Sequence, residues 1–199
     1  MLEHSPETSI YKNTPDNGQR DITDGQKFKT DGATLRAIHS PGHTKDHMAL
    51  ILEEEDAMFT GDNVLGHGTA VFEDLATYLS SLDKMKGLFR GKAYPGHGAV
   101  IENGPVKIEE YIKHRKEREL QVVQVLKSAK AKPGVAVSND EEADDWTSME
   151  IVKIIYADVP ESLHIPANGG IIQILHKLES EGKIVQKGDR WRIKARAAL

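Results

Sequence analysis

His39-Ser40-Pro41-Gly42-His43-Thr44 is the stretch of sequence that decides how this chain folds. It places a metal-capable imidazole beside a Pro-Gly turn, immediately after the strand-like residues 35–38. Phe59-Thr60-Gly61-Asp62-Asn63 and Tyr94-Pro95-Gly96-His97-Gly98 repeat the arrangement, with intervals of 19 and 35 residues between the candidate side chains. Proline and glycine allow tight turns and the close approach of other groups. The three motifs therefore predict side chains that gather at one edge of a sheet.

The chemistry of these side chains indicates a metal site. The chain has no cysteine, so thiolate ligands are excluded and any metal must be held by imidazole and carboxylate groups. His43, Asp62 and His97 supply both kinds of group, and the carboxylate of Asp62 can serve two ions, one per oxygen. Catalytic zinc sites use three protein ligands and keep one position open for water. One such motif is a weak signal, whereas three in this order predict a metallohydrolase architecture.

The apolar pattern of the first part of the chain predicts strands followed by helices. Short strand-like runs occur at residues 48–52 and 57–59, on either side of an acidic turn. Residues 73–89 have helical spacing, and a long helix is predicted over about 106–130. Residues 1–20 are polar and rich in turn formers, which predicts a loose arm or the remnant of a truncation.

The C-terminal part has the pattern of a winged helix. Thr147 and Glu150 stand in a capping-box arrangement that opens one helix, and a second helix is predicted over residues 170–181. Lys187-Gly188-Asp189 between two short strand-like runs predicts a hairpin. We therefore expect a first domain over residues 1–130, a linker over 131–145 and a winged-helix-like domain over 146–199.

The motifs taken together resemble a known family. Pro41-Gly42-His43-Thr44, Thr60-Gly61-Asp62 and Pro95-Gly96-His97-Gly98 resemble the later ligand motifs of the metallo-β-lactamase superfamily. Three neighbouring stretches narrow the match: Asp46-His47-Met48, Val71-Phe72-Glu73-Asp74-Leu75 and Tyr111-Ile112-Lys113-His114-Arg115. They are similar to lactamase-beta-like hydrolases with a C-terminal winged helix, and among these to fungal thioesterases that accompany non-reducing polyketide synthases. The resemblance implies an α+β fold, in which the C-terminal part of a metallo-β-lactamase αβ/βα sandwich precedes a small winged-helix-like domain.

The resemblance also implies an activity and a cofactor. Such thioesterases hydrolyse the thioester that joins an aromatic polyketide to its acyl carrier protein, so the expected partner is a small-molecule or carrier-bound polyketide. By resemblance His43 would bind a first Zn²⁺, His97 a second, and Asp62 would bridge them, with zinc polarising the thioester carbonyl. We expect His47 and Thr44 to support these ligands through hydrogen bonds.

One motif of the family has no counterpart in this sequence. The His-x-His-x-Asp-His cluster, which supplies the remaining zinc ligands and the proton-carrying Asp, is not found, and no two histidines are separated by a single residue. The catalytic proton carrier therefore stays unassigned. We expect a truncated gene product, an isoform or a degenerate paralogue, with impaired activity and at most partial zinc occupancy.

Charge and composition narrow the choice of partners and location. The formal net charge of −5 argues against a main role in nucleic-acid binding, because phosphate contacts need clustered Lys and Arg. No apolar run approaches the ~20 residues of a membrane helix, and the start lacks a secretory signal, so we expect a cytoplasmic protein. Two alternatives stay open: a metal-dependent endoribonuclease of the same lactamase-beta-like group, and a non-catalytic winged-helix binding protein. The oligomeric state is left open.

Overall fold

The computed structural model describes residues 8–128 and 145–194. Two compact units can be distinguished along the chain, Met1–Ile112 and Lys113–Leu199. The division falls inside one long helix, Gly104–Lys127, ahead of the linker that the sequence suggests at residues 131–145. That linker lies outside the described residues except for Asp145, so the three predicted domain ranges stay predictions.

The first unit is an α+β structure built on a five-stranded sheet with the order β3-β4-β5-β6-β7. All its neighbouring strands are antiparallel except β6 and β7, which are parallel. A separate parallel pair, β1-β2, precedes this sheet. The elements of this unit are β1 (Tyr11–Lys12), β2 (Arg20–Asp21), β3 (Lys27–Thr30), β4 (Ala33–His39), β5 (Met48–Leu52), β6 (Ala57–Gly61), α1 (Leu75–Lys86), β7 (Ala93–Pro95) and the first part of α2 (Gly104–Lys127).

The strand directions explain why three distant motifs can meet. Strand β5 is antiparallel to both β4 and β6, so β4 and β6 run the same way, and β7 is parallel to β6. The carboxyl ends of all three strands therefore lie at the same edge of the sheet. These ends are His39, Gly61 and Pro95, and each of them lies within one of the three motifs.

One face of the sheet forms the core of the unit. The residues of this face are almost completely buried, at 3% exposure or less. Ile38 pairs with Ala49 across two strands, and Ile51, Met58 and Ala93 form a row across three. Helix α1 buries an apolar stripe at helical spacing, which comprises Leu75, Tyr78, Leu82 and Met85. On the opposite face Phe59 remains 40% exposed, with its ring 5.1 Å from that of Tyr94.

Local signals set the ends of the helices. The Asp74 side chain accepts a hydrogen bond from the Thr77 amide (2.7 Å), so α1 begins at Leu75 rather than at residue 73. Gly87 ends it, slightly before the predicted residue 89. Helix α2 begins at Gly104, two residues before the expected start. Within residues 8–128 and 145–194, no helix is both long and apolar enough to cross a bilayer.

The N-terminal residues are less loose than the sequence suggests. Tyr11 and Lys12 pair with Arg20 and Asp21, and the Tyr11 ring packs edge-on against Phe28 at 4.8 Å. The prediction of a loose arm over residues 1–20 is therefore wrong for the part of it that the structure describes. Turn-forming residues dominate the composition of this segment, so its sequence pattern does not reveal the two-residue strand β1.

The second unit has the helices and ribbon of a winged helix. Its elements are β8 (Trp146–Thr147), α3 (Ser148–Ile155), α4 (His164–Ser180), β9 (Ile184–Lys187) and β10 (Arg190–Ile193), and its sheet has the order β8-β10-β9. Trp146 and Trp191 are direct cross-strand partners and are 6% and 3% exposed. They anchor the core of this unit, and β9-β10 is the predicted hairpin.

Helix α4 starts at His164, six residues before the predicted start at residue 170. The buried positions begin only at Ile171, and two glycines stand just before it, so the apolar pattern marks the start too late. Pro166 lies in the first turn, where the N–H that proline lacks has no helical acceptor, so the helix can begin ahead of it.

The capping box of α3 gives a prediction for the stability of the second unit. The Thr147 hydroxyl accepts a hydrogen bond from the Glu150 amide (3.2 Å), and the Glu150 carboxylate accepts one from the Thr147 amide (2.8 Å). We expect Thr147→Ala to lower the free energy of unfolding by ~0.5–2 kcal/mol, whereas Thr147→Ser, which keeps the hydroxyl, changes it little. Denaturant unfolding measures both. Equal losses in the two variants would contradict the role of the hydroxyl.

Candidate metal centre

The structure brings the three predicted ligands together at the edge of the sheet. The Asp62 carboxylate lies between two imidazoles: Oδ2 is 3.7 Å from His43 Nε2, and Oδ1 is 3.5 Å from His97 Nε2. Both distances are too long for good hydrogen bonds. They are close to the separation of about 3.3 Å between two ligands on one tetrahedral zinc with bonds of about 2.0–2.1 Å. The spacing therefore suits a cation between the side chains.

One oxygen of Asp62 has no hydrogen-bond donor within the described part of the chain. Oδ1 is buried, and a buried carboxylate oxygen without a partner is unusual and costly. Gly96 makes this position possible, because a Cβ at residue 96 would lie 2.7 Å from Oδ1. The Gly96 amide instead donates to the Gly61 carbonyl at 2.9 Å, which holds the two loops together. An orphaned carboxylate oxygen next to an imidazole fits a divalent cation.

His43 is held in the orientation that a metal ligand needs. Its Nδ1 lies 2.9 Å from the Val71 carbonyl oxygen, which can only accept, so Nδ1 carries the proton. The lone pair is therefore on Nε2, the atom that faces Asp62. Histidines that bind metals commonly donate their other ring N–H to a backbone carbonyl in this way. His97 is more open, with 70% of its side chain exposed against 23% for His43.

His47 lies behind the Asp62 loop and supports it. The Asp62 amide donates to His47 Nε2 at 3.2 Å, so Nδ1 carries the proton and donates to the Ser40 hydroxyl at 2.9 Å. Burial lowers the pKa of His47, and the neighbouring His43 lowers it further, which favours this neutral form. Gly61 has φ of +52°, and a Cβ there would be 2.5 Å from His47 Nε2. His47 can thus orient Asp62 but has no free lone pair for a metal.

Thr44, the other predicted supporting residue, acts within its own turn. Its carbonyl accepts a hydrogen bond from the Gly42 amide at 3.0 Å, which closes the turn that carries His43. Its side chain hydrogen-bonds to Asp46, and this bond lowers the pKa of the Asp46 carboxyl. Thr44 therefore shapes the loop on which His43 stands.

A buried polar cluster, which the sequence did not reveal, connects two of the ligand loops. Asn63 and Ser40 are completely buried, and the side-chain amide of Asn63 donates through Nδ2 to the backbone carbonyl of Ser40 at 2.6 Å. The Tyr78 hydroxyl donates to the Asn63 carbonyl at 2.6 Å, from helix α1. This cluster fixes the distance between the loop of His43 and the loop of Asp62. The only signal in the sequence was the position of Asn63 directly after Asp62.

His67 borders the site from a neighbouring loop. The structure places the exposed His67 ring against Gly98, where a Cβ would lie 2.5 Å from His67 Nδ1. His67 therefore lies beside the loop of His97.

The arrangement amounts to two His–Asp pairs that share one carboxylate. Within residues 8–128 and 145–194, no three or more His, Asp or Glu side chains form a group that could hold a metal ion. The reason is visible in the geometry, because each oxygen of Asp62 faces a different imidazole. Each half of the arrangement offers two ligand atoms, one fewer than the three of a catalytic zinc site.

Two family models match the chain. The first, the metallo-beta-lactamase superfamily, covers residues 2–97 and includes His43, Asp62 and His97. The second, the beta-lactamase associated winged helix domain, covers residues 147–191. The matched ranges agree with the α+β unit and with the winged-helix unit described above.

Similar fungal proteins extend over almost the whole chain. The chain is 43% identical over 197 residues to the lactamase-like protein adaB of Aspergillus niger, covering 96% of this chain and 62% of that protein. It is 41% identical to the lactamase-like protein aptB of Emericella nidulans, covering 98% and 64% of the two chains. The chain therefore spans somewhat under two thirds of the length of these relatives.

Solved structures share the fold at lower identity. A metallo-beta-lactamase family protein from Thermus thermophilus matches with a TM-score of 0.68 and 23% identity, covering 90% of this chain and 56% of that one. A beta-lactamase domain protein from Burkholderia ambifaria matches with a TM-score of 0.73 and 21% identity, covering 90% and 53%. These similarities concern the fold alone.

The turn before His43 gives a prediction about the geometry of the site. Gly42 has φ of +138°, and a Cβ there would overlap the backbone of Tyr78. Gly32 also has positive φ, +81°, but a Cβ there would meet nothing within 4 Å. We expect Gly32→Ala to cost about 1–2 kcal/mol in unfolding free energy, from backbone strain alone.

Gly42→Ala should cost clearly more, because the Tyr78 backbone must also move, and overpacking alone typically adds about 1–3 kcal/mol. The shift should also break the hydrogen bond from His43 to Val71. Denaturant unfolding measures the stability of both variants, and imidazole ¹⁵N spectra report whether His43 keeps its proton on Nδ1. Equal stability losses together with an unchanged His43 spectrum would contradict this account of the turn.

Proposed function

The chain belongs to the metallo-β-lactamase superfamily, whose members are generally hydrolases, and on this premise we propose that it hydrolyses an acyl thioester at a zinc centre. The proposed substrate is an aromatic polyketide carried as a thioester on an acyl carrier protein, in secondary metabolism. Water would add its oxygen to the acyl carbon, the C–S bond would break, and a carboxylic acid and a thiol would leave. The observation that carries the proposal is the Asp62 carboxylate, flanked by imidazole nitrogens at ligand spacing.

His43, Asp62 and His97 would hold the metal. Bound zinc would supply Lewis acidity for the carbonyl oxygen and a water nucleophile at neutral pH. Val71 keeps the proton of His43 on Nδ1, so that Nε2 is free as a ligand. The Asp62 amide, fixed by His47, sets the direction of the carboxylate. Each imidazole faces a different oxygen of Asp62, so each half offers one ligand fewer than the three of a catalytic zinc site, and we expect weak binding and partial occupancy.

The surface next to His43 favours an apolar, neutral substrate. The Val71 carbonyl oxygen is 2.9 Å from His43 Nδ1, so standard bond lengths keep the Val71 Cα within about 6 Å of that atom. Val71 is 71% exposed and offers an apolar surface beside His43. After Phe72 come the exposed acidic residues Glu73 and Asp74. Carboxylates at this position would repel a phosphodiester backbone, which disfavours the endoribonuclease alternative.

The second unit gives little support to a nucleic-acid reader. Lys177 contacts Glu119 and Glu181, both at 2.7 Å, and Lys183 contacts Glu181 at the same distance. These cations are therefore largely neutralised within the unit. Helix α4, the candidate recognition helix, buries Ile171 and Leu175 completely instead of presenting them. These contacts favour the hydrolase over a non-catalytic winged-helix protein that binds nucleic acid.

Removing a ligand tests the proposed metal site. We expect the purified chain to bind Zn²⁺, and His43→Ala, Asp62→Ala or His97→Ala to weaken binding by about 100-fold or more, beyond the effect of a supporting residue. His114→Ala is the matched control, because His114 is exposed and lies outside the site. Equilibrium dialysis with metal analysis measures binding. Unchanged zinc content in His97→Ala would show that the ligand assignment is wrong.

Substrate preference can be tested at Val71. We expect Val71→Asp to lower kcat/KM about 10-fold or more for a naphthoyl thioester of N-acetylcysteamine, because an apolar contact is replaced by a charge. The released thiol is measured, and a chelator should abolish the reaction. Val106→Asp is the control, because exposed Val106 follows Gly104, whose amide donates to the Gly91 carbonyl before the start of β7, at the end of that strand opposite to the ligand edge. Cleavage of RNA without thioester hydrolysis would favour the endoribonuclease instead.

A further inference from the structure

One loop segment touches the loops of both candidate imidazoles. We name residues 64–72 the site strap. Near its start, the Gly66 amide donates to the His97 carbonyl at 2.9 Å. At its other end, the Val71 carbonyl accepts from His43 Nδ1 at 2.9 Å. A displacement of the strap would therefore disturb both imidazoles together.

The strap packs tightly against the loop of His97. A Cβ on Gly66 would overlap the backbone of Ala99, and a Cβ on Gly98 would lie 2.5 Å from the ring of His67. Glycine is therefore needed on each side for this approach. Two of the strap's residues, Gly66 and Gly68 (φ of +66°), are glycines, which restrict the backbone less than other residues do. The strap needs an anchor if it is to hold the imidazoles in place.

The anchor is the hydroxyl of Tyr111, from the first part of α2. The Leu65 amide donates to it at 3.2 Å, and it lies 3.1 Å from the Gly68 carbonyl, to which it donates. The Leu65 carbonyl is a longer alternative acceptor at 3.4 Å. Tyr111 is only 6% exposed, so these bonds are shielded from water. The Thr60 hydroxyl adds a bond to the Val64 carbonyl at 2.9 Å, just where the strap begins.

We infer that Tyr111 is a positioning residue for the metal centre, acting through the site strap on His43 and His97. This inference rests on the proposed metal site for its consequence, but its geometric part concerns the protein alone. Without the hydroxyl, the middle of the strap loses a donor and an acceptor that water replaces poorly at a buried position. The strap then moves, and the nitrogen atoms of both imidazoles leave their places next to Asp62.

The test compares Tyr111→Phe with Tyr11→Phe in the full chain. Both variants remove one hydroxyl from the first unit, but that of Tyr11 has only a weak contact with Arg20, at 3.4 Å, on the surface. We expect Tyr111→Phe to weaken Zn²⁺ binding about 10- to 100-fold, the range known for residues that orient ligands, and Tyr11→Phe to leave it unchanged. Calorimetric titration with Zn²⁺ alone measures the affinity.

A second measurement separates positioning from general stability. In the metal-free chain, the strap geometry predicts slow hydrogen exchange of the Leu65 and Gly66 amides. In Tyr111→Phe these two amides should exchange faster and the His43 imidazole ¹⁵N signals should shift, while buried amides of β5, such as that of Ile51, keep their protection. A loss of protection spread evenly over the unit would mean a merely structural role and would overturn the inference.

The two arms also separate this inference from the proposed function. If the parent chain binds no Zn²⁺, the proposed function fails, and the exchange and imidazole measurements still decide whether Tyr111 positions the strap. If the parent chain binds Zn²⁺ and Tyr111→Phe binds it equally well, the inference is wrong and the metal site stands. In the wild type, fast exchange at Leu65 and Gly66 alone would also overturn the inference.

Discussion

The structure of this site depends on one buried carboxylate oxygen. Asp62 Oδ1 is shielded from water and receives no hydrogen bond from the described residues, a condition that proteins rarely tolerate without a compensating partner. Three neighbouring residues set the position of this oxygen and of the imidazole that faces Asp62. His47 holds the Asp62 amide, Gly96 leaves room for the oxygen, and Val71 leaves the lone pair of His43 facing Asp62. A cation is the partner that would satisfy this arrangement.

The fold explains how such a site is assembled from distant parts of the sequence. Strands β4, β6 and β7 end at one edge of the sheet, and each is followed by a tight turn that carries one ligand candidate. Two buried polar residues, Ser40 and Asn63, join two of these turns without any side chain of the ligands themselves. The positions of the ligands are thus set by backbone and neutral groups, which leaves the Asp62 Oδ1 atom and the Nε2 atom of His43 available for a cation.

The sequence predicted the α+β architecture, the winged helix and the meeting of His43, Asp62 and His97, because each rests on a pattern of residue types. It did not predict the parts that depend on backbone atoms. The carbonyl of Val71 and the amide of Gly66 have no signature in the sequence, and Tyr111 entered only through the family resemblance, without a structural role. The start of α4 was placed too late for a related reason, since its first turn carries no buried apolar residue.

Anomalous diffraction at the zinc absorption edge, from crystals of the chain grown with Zn²⁺, tests the central claim most directly. The account predicts a peak about 2.0–2.2 Å from an oxygen of Asp62 and from the Nε2 atom of His43 or His97. A peak at another histidine, with nothing near Asp62, would contradict the account and would leave the buried oxygen of that residue without an explanation.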